Sequence, residues 1–150
     1  MDITDKNIEE MLPHNYPMVL IDKVVEFDFE SNYFLAKTKI QETMPFFDKK
    51  LNGISPMAGI EFMAQTVGCY AYLKKRMEKP KIGFLLGSRL YNNALTKFEN
   101  GKEYFIKIKE IYSDDKISSF DCQILDDSND EVACATINTY QPENIGEDIN

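Results

Sequence analysis

The stretch Asn52-Gly-Ile-Ser-Pro-Met-Ala-Gly-Ile-Glu-Phe-Met-Ala-Gln-Thr-Val-Gly-Cys-Tyr-Ala-Tyr72 constrains this chain more than any other, because it reads as one long helix that is apolar nearly all round. Ser55 has the hydroxyl an N-cap needs and Pro56 stands where a first-turn proline is tolerated, so the spacing predicts a start here and an end before Pro80. Apolar side chains at Ile60, Met63, Ala64, Val67, Tyr70 and Ala71 fall on one face at the 3.6-residue period, and Phe62, Cys69 and Leu73 extend the apolar surface beyond it. Such a helix must be wrapped by the rest of the chain. About twenty helical residues span roughly 30 Å, which one curved antiparallel sheet can cover.

The flanking segments supply that sheet. Asp5 to Leu12 reads as a short helix stopped by Pro13, and His14-Asn15-Tyr16-Pro17 as a turn held between two prolines. Val19, Ile21, Val24 and Val25 predict a strand from Met18 to Phe27, interrupted at Asp22-Lys23. After the turn Asp28-Phe-Glu-Ser-Asn32, the alternation in Tyr33 to Ile40 predicts a second strand with one wet face. Gln41 to Ile54 reads as a loop carrying Phe46 and Phe47, either anchors on the core or contacts for a ligand.

Beyond the helix, Ile82 to Tyr91 reads as a strand whose two glycines suggest a bulge or a close approach of another group. Three further strands follow, around Tyr104–Lys109, Ser119–Ile124 and Val132–Tyr140, joined by Asp-rich turns into a meander. The expected class is α+β, one antiparallel sheet around a central helix in a single domain over residues 1–140, with residues 141–150 as a frayed acidic tail. An open sheet has edges, and pairing of two sheets edge to edge removes them, so a homodimer or a heterodimer with a close homologue is expected.

Composition excludes several functions. Asp and Glu outnumber Lys and Arg by 25 to 17, and a net charge of −8 argues against nucleic acid as the main partner. The first residues have neither the basic region nor the apolar core of a signal peptide, and no apolar run is long enough for a membrane span, so a cytoplasmic protein is expected. Cys69, Cys122 and Cys134 are odd in number and lie among apolar neighbours, which predicts buried free thiols. With His14 the one histidine, a metal site is not expected.

Within the apolar helix, Glu61 and Gln65 stand one turn apart. A carboxylate in that setting needs a partner or a purpose, unless it simply faces water near a helix start. Gln65 can hydrogen-bond that carboxylate or a water, or be a buried amide satisfied by backbone.

At this point the residues carry a resemblance. Leu12-Pro-His-Asn-Tyr-Pro-Met-Val-Leu-Ile-Asp22 resembles the opening signature of the 3-hydroxyacyl-acyl carrier protein dehydratases, and Gly59-Ile-Glu-Phe-Met-Ala-Gln65 resembles their helix motif. Within that family, Pro45-Phe-Phe-Asp48 and Gly83-Phe-Leu-Leu-Gly-Ser-Arg-Leu-Tyr91 are most similar to the divergent ApeP-like branch associated with aryl polyene and related lipid clusters. The resemblance implies a hot-dog fold, no cofactor, a thioester substrate on the phosphopantetheine arm of an acyl carrier protein, and a catalytic Glu61. Ordinary members carry a His-Phe-Pro-Gly run before the helix, whose histidine removes the C2 proton. Here the region reads Phe46-Phe-Asp-Lys-Lys-Leu-Asn-Gly53, without histidine.

His14 and Asp48 are then the remaining proton carriers beside Glu61; His14 either takes the vacant role or holds its turn in place. Early helix amides of Met57, Ala58 or Gly59 would face the thioester oxygen. Phe46, Phe47, Met57, Phe62 and Met63 would line an acyl site or belong to the core, and Arg89 would meet the pantetheine phosphate or the carrier, or form a salt bridge. Three readings follow: an active dehydratase, a non-catalytic subunit that stabilises a homologous dehydratase, and a hot-dog thioesterase.

Overall fold

Alternating burial organises the strands. In the computed structural model, which describes residues 19–75, 84–114 and 116–140, with backbone alone at 75, 84–90 and 140, the order is β1 (Lys23–Asp28), β2 (Tyr33–Lys39), β3 (Phe47–Asp48), β4 (Gly53–Ile54), α1 (Gly59–Lys75), β5 (Phe84–Asn93), β6 (Phe98–Glu99), β7 (Glu103–Ser113), β8 (Ile117–Leu125) and β9 (Glu131–Tyr140). Phe34, Ala36 and Thr38 of β2, Tyr104, Ile106 and Ile108 of β7, and Phe120, Cys122 and Ile124 of β8 are buried, and the residues between them are not. Period two sends one set to the core and the other outward.

Six strands form one sheet in the order β1-β2-β7-β8-β9-β5, every neighbouring pair antiparallel. The expected meander is β7-β8-β9. Helix α1 packs on the inner face, where Tyr70 meets Phe34 of β2 and Phe120 of β8 edge to face, with centroids 5.9 Å and 5.5 Å apart. Edge-to-face pairs add about 0.5–1.5 kcal/mol each beyond the area they bury. Leu20 and Ile21 join this core although they precede β1, so the strand expected from Met18 begins only at Lys23. Asp22 explains the late start: its N–H bonds Lys37 O at 2.9 Å and its carboxylate accepts from Lys39 N–H at 2.7 Å.

The segment from 41 to 54 is more than a loop. It contains the two-residue strands β3 and β4, which pair with each other and, through β4, with β6 in a second, three-stranded sheet. Gly53 is required there, because a Cβ would collide with the carbonyl oxygen of Phe98. The early helix expected at 5–12, the turn at His14, the basic residue Arg76 and the tail from 141 lie outside the described residues.

At the far end of α1, Lys74 Nζ lies 2.7 Å from Glu110 Oε1 of β7 and donates to the Tyr70 hydroxyl at 3.0 Å. Burial alone would lower the Lys74 ammonium, but its bonds to Glu110 and Tyr70 and the Glu110 charge outweigh that and hold it above the ordinary lysine value; burial likewise raises the Tyr70 phenol. Groups with raised folded-state values stabilise fully below the unfolded values and lose that contribution as pH rises through the folded ones. Glu110→Gln should therefore cost on the order of 1 kcal/mol at neutral pH, and the gap to the parent protein in urea midpoint should close above about pH 10.5.

Candidate active site at the helix start

The approach to α1 is a series of tight turns. Phe47 N–H bonds Met44 O at 3.3 Å, closing a turn with Pro45 second and Phe46 third. Phe46 has φ 70°, the left-handed value of a type II turn, whose third position favours glycine. Its ring is 52% exposed, whereas Phe47 packs on the core. Asp48 is spent on the next turn: its carboxylate accepts from Lys50 N–H at 2.9 Å and Leu51 N–H at 3.3 Å.

Ser55 caps the helix region as the sequence anticipates, but what it caps is a 3₁₀ turn, Pro56–Ala58, and α1 proper starts at Gly59. The three early amides are all engaged. Ala58 N–H bonds Ser55 O at 3.0 Å and Gly59 N–H bonds Pro56 O, while Met57 N–H is held only by the exposed Ser55 hydroxyl, at 3.2 Å. Met57 itself is 68% exposed.

One residue here escaped the sequence reading. Tyr91 donates its hydroxyl to Pro56 O, and burial pushes its phenol up to about 12. The signal available in the sequence was Gly59, a helix-start position without a side chain, which leaves room either for a thioester or for a packing neighbour: a Cβ at 59 would collide with the Tyr91 hydroxyl.

In the first turn of α1, Glu61 is half-buried and its Oε1 accepts from Gln65 Nε2 at 3.4 Å. Gln65 is 1% exposed, and its Oε1 accepts the Leu20 N–H at 2.7 Å. Leu20 O in turn accepts from Thr38 Oγ1 at 2.6 Å. Gln65 is thus both things the sequence allowed, partner to the carboxylate and a buried amide satisfied by backbone. Phe62 and Met63 are sealed within the protomer, Phe62 edge to face with Phe98 at 5.1 Å, so of their two readings the structure gives the core role. Less-buried positions of α1, namely Ile60, Glu61, Ala64, Gly68 and Ala71, recur at helical spacing and form one stripe away from the sheet.

Other expectations divide. Arg89 lies in β5, its backbone paired with Thr136. Cys69 and Cys122 are buried free thiols pushed up to about 12 by burial, whereas Cys134 is half-buried. A concavity of about 480 Å³ among Lys107, Asp121, Gln123 and Thr136 lies on the outer sheet face, opposite the helix, and Glu61 is not among its lining residues. Among the described residues no helix is long and apolar enough to cross a membrane, and no group of three His, Cys, Asp or Glu side chains gathers as for a metal.

Comparison with known proteins fits this geometry. The family model described as ApeP-like, ApeP dehydratase, matches residues 6–150. Over 90 residues the chain is 38% identical to the 3-hydroxyacyl-[acyl-carrier-protein] dehydratase FabZ of Oceanobacillus iheyensis, covering 58% of this chain and 61% of that relative, less than two thirds of its length. A chain of the dehydratase heterocomplex ApeI:P from Xenorhabdus doucetiae superposes with a TM-score of 0.82 at 26% identity, covering 97% of this chain and 98% of that one. A hypothetical thioesterase protein with coenzyme A from Streptococcus pneumoniae, at 14% identity and a TM-score of 0.59 over 80% of this chain and 87% of that one, shares the fold alone. A six-stranded antiparallel sheet on one central helix, together with a family match from residue 6 to residue 150, establishes that the chain belongs to the ApeP-like dehydratases, a divergent hot-dog family related to FabZ.

Proposed function

We propose that this chain acts in the removal of water from 3-hydroxyacyl groups carried as thioesters on an acyl carrier protein, in fatty-acid or aryl polyene type lipid synthesis, with Glu61 in the proton-transfer role. The carrying observation is Glu61 itself: a half-buried carboxylate near the start of the central helix, held by Gln65 on the stripe that the sheet leaves uncovered. Dehydration takes a proton from C2 and releases the C3 hydroxyl as water, so one group must accept a proton, one must donate, and a donor must face the thioester oxygen.

Glu61 serves one of the proton transfers and His14 is the candidate for the other. Leu20, six residues after His14 in the sequence, has its N–H bonded to the same Gln65 that holds Glu61. Met57 N–H is the favoured oxygen donor, because a rotating surface hydroxyl is easier to displace than the backbone carbonyls that hold Ala58 and Gly59. Phe46 and Met57, both exposed, are the favoured acyl contacts, and Arg89 on the edge strand β5 remains the candidate for the pantetheine phosphate. The reaction as written calls for no cofactor.

Among the described residues, the stripe of α1 that the sheet leaves uncovered and the unpaired edge of β5 both suit a second hot-dog protomer, identical or homologous. A second reading has its own support: the match to a chain of a two-component dehydratase complex, joined to the missing histidine between Phe46 and Gly53, favours a subunit that stabilises a catalytic homologue. Glu61→Gln separates the two. The dehydratase reading expects turnover of a 3-hydroxyacyl thioester, followed as loss of one water by mass spectrometry in the assembled complex, to fall about a hundredfold or more. Unchanged turnover together with retained complex formation would give the chain the supporting role.

Phe46 tests the acyl contact. Left-handed backbone at a non-glycine residue costs about 1–2 kcal/mol, so Phe46→Gly should leave the unfolding free energy from urea denaturation within about 1 kcal/mol of the parent protein, relief of the turn offsetting the lost packing and the added chain entropy. KM for a long-chain substrate should nevertheless rise about tenfold, the worth of roughly half a buried phenyl ring. Gln65→Leu keeps volume but orphans the Leu20 N–H, and should lower stability by about 1–3 kcal/mol in chemical denaturation.

A further inference from the structure

Strand β5 departs from regular pairing just where it passes the start of α1. Arg89 pairs with Thr136 and Asn92 with Cys134, so two residues of β5, Leu90 and Tyr91, stand against one of β9, Ala135. That two-against-one arrangement is a β-bulge, a device that re-aims side chains. With Asn92 beside Cys134 on the outer face, Tyr91 is delivered to the inner face, where its hydroxyl donates to the carbonyl oxygen of Pro56. The approach is possible because residue 59 is glycine; a Cβ there would collide with the hydroxyl and come within 3.3 Å of Ile124 Cδ1. Three separate features, the bulge, the missing side chain and the hydrogen bond, converge on one carbonyl.

That carbonyl shares a rigid plane with a single N–H. Pro56 C=O and Met57 N–H belong to the same peptide unit and point in opposite directions, so whatever grips the oxygen aims the amide. Pro56 O is gripped twice, by Gly59 N–H closing the 3₁₀ turn and by Tyr91 from the sheet. On the other side of the plane, Met57 N–H points toward the surface and meets only the Ser55 hydroxyl. We propose that Tyr91 is a positioning residue: through Pro56 O it fixes the direction of Met57 N–H, so that the amide meets the thioester oxygen once the Ser55 hydroxyl rotates aside. This rests on the dehydratase reading above and assigns that reaction a residue in neither the helix nor the histidine turn. Tyr91 touches no reacting atom; it acts on a peptide plane that does.

Tyr91→Phe is the informative variant, since it keeps the ring against Gly59 and removes only the O–H. In the assembled complex, kcat should fall tenfold or more while KM stays within about twofold, as expected when an oxyanion donor is misdirected rather than substrate binding lost. The backbone amide signal of Met57 in a nitrogen-labelled sample should shift, and the urea midpoint should change little. Gly59→Ala, which pushes the ring away, should reproduce the kcat loss, and the double variant should be no worse than the more damaged single one, because both break the same contact. Unchanged kcat in Tyr91→Phe overturns the proposal. So does a kcat loss that only tracks the folded fraction while the Met57 signal stays put. Parent protein that shows no turnover in any assembly defeats the dehydratase reading and the donor role with it, whereas a working parent with an indifferent Tyr91→Phe defeats Tyr91 alone.

Discussion

A helix that cannot turn any side fully to water dictates the rest of this protein. Burying Phe62, Met63, Cys69, Tyr70 and Leu73 takes a surface longer and more curved than any single strand pair offers, and the six-stranded sheet supplies it with its small and aromatic inner residues. Apolar contact alone would let such a helix slide or rotate. What registers it is polar: Gln65 accepts Leu20 N–H, and Leu20 O in turn accepts Thr38 Oγ1 of β2. Each buried polar group costs about 1–3 kcal/mol if left unpaired, so rotating α1 by one residue would forfeit the bonds of Gln65 while gaining no apolar burial. The amide that registers the helix is also the one that holds Glu61, and the fold and the candidate chemistry share a single side chain.

Much of this was legible before any coordinates. Strands β2, β7 and β8 announce themselves by strict alternation, and the helix by its length and apolar character; these signals are local and strong. Gln65 and Glu61, four residues apart, meet on one helical face as helical geometry requires. The β3–β4–β6 ribbon was not legible, because two-residue strands have no period to detect and are specified by distant backbone, as Gly53 against Phe98 illustrates. Ser55 is a cap as its hydroxyl suggests, yet Pro56 O in the 3₁₀ turn also accepts from Tyr91, thirty-five residues away on a bulged strand. Long-range contacts of that kind leave only indirect traces, here a glycine whose reason could be named in two ways and was decided by the ring that fills its place. Phe62 and Met63 went the same way: chemistry allowed an acyl lining, and packing took them for the core.

Several residues on or beside the approach to α1 break local rules. Phe46 occupies a turn position suited to glycine, Met57 presents an apolar side chain to solvent, Met57 N–H leans on a weak surface partner, and a strand bulges to deliver Tyr91. Elsewhere the turns follow local rules: Asp28 accepts from Glu30 N–H in its turn, Asn32, Asn52 and Asn129 take the left-handed positions that asparagine tolerates, and Asp114 caps the β7–β8 hairpin. Local compromises beside a candidate site are the pattern expected where function rather than stability chose the residue.

Whatever packs on the stripe of Glu61, Ala64, Gly68 and Ala71 would set the surroundings of the carboxylate as much as the chain itself does. Small side chains let another backbone come close, and a carboxylate that is half-exposed in one protomer gains a drier setting only when something covers it. An identical partner would bring a second Glu61 and a second Met57 turn to the complex; a homologous partner would bring its own loop in place of the one that lacks histidine between Phe46 and Gly53. The same side chains, in the same positions, would then have different reaction partners. One fold would in that way hold a catalytic subunit and a supporting one, with the difference residing in what each protomer presents across the shared face rather than in the helix common to both.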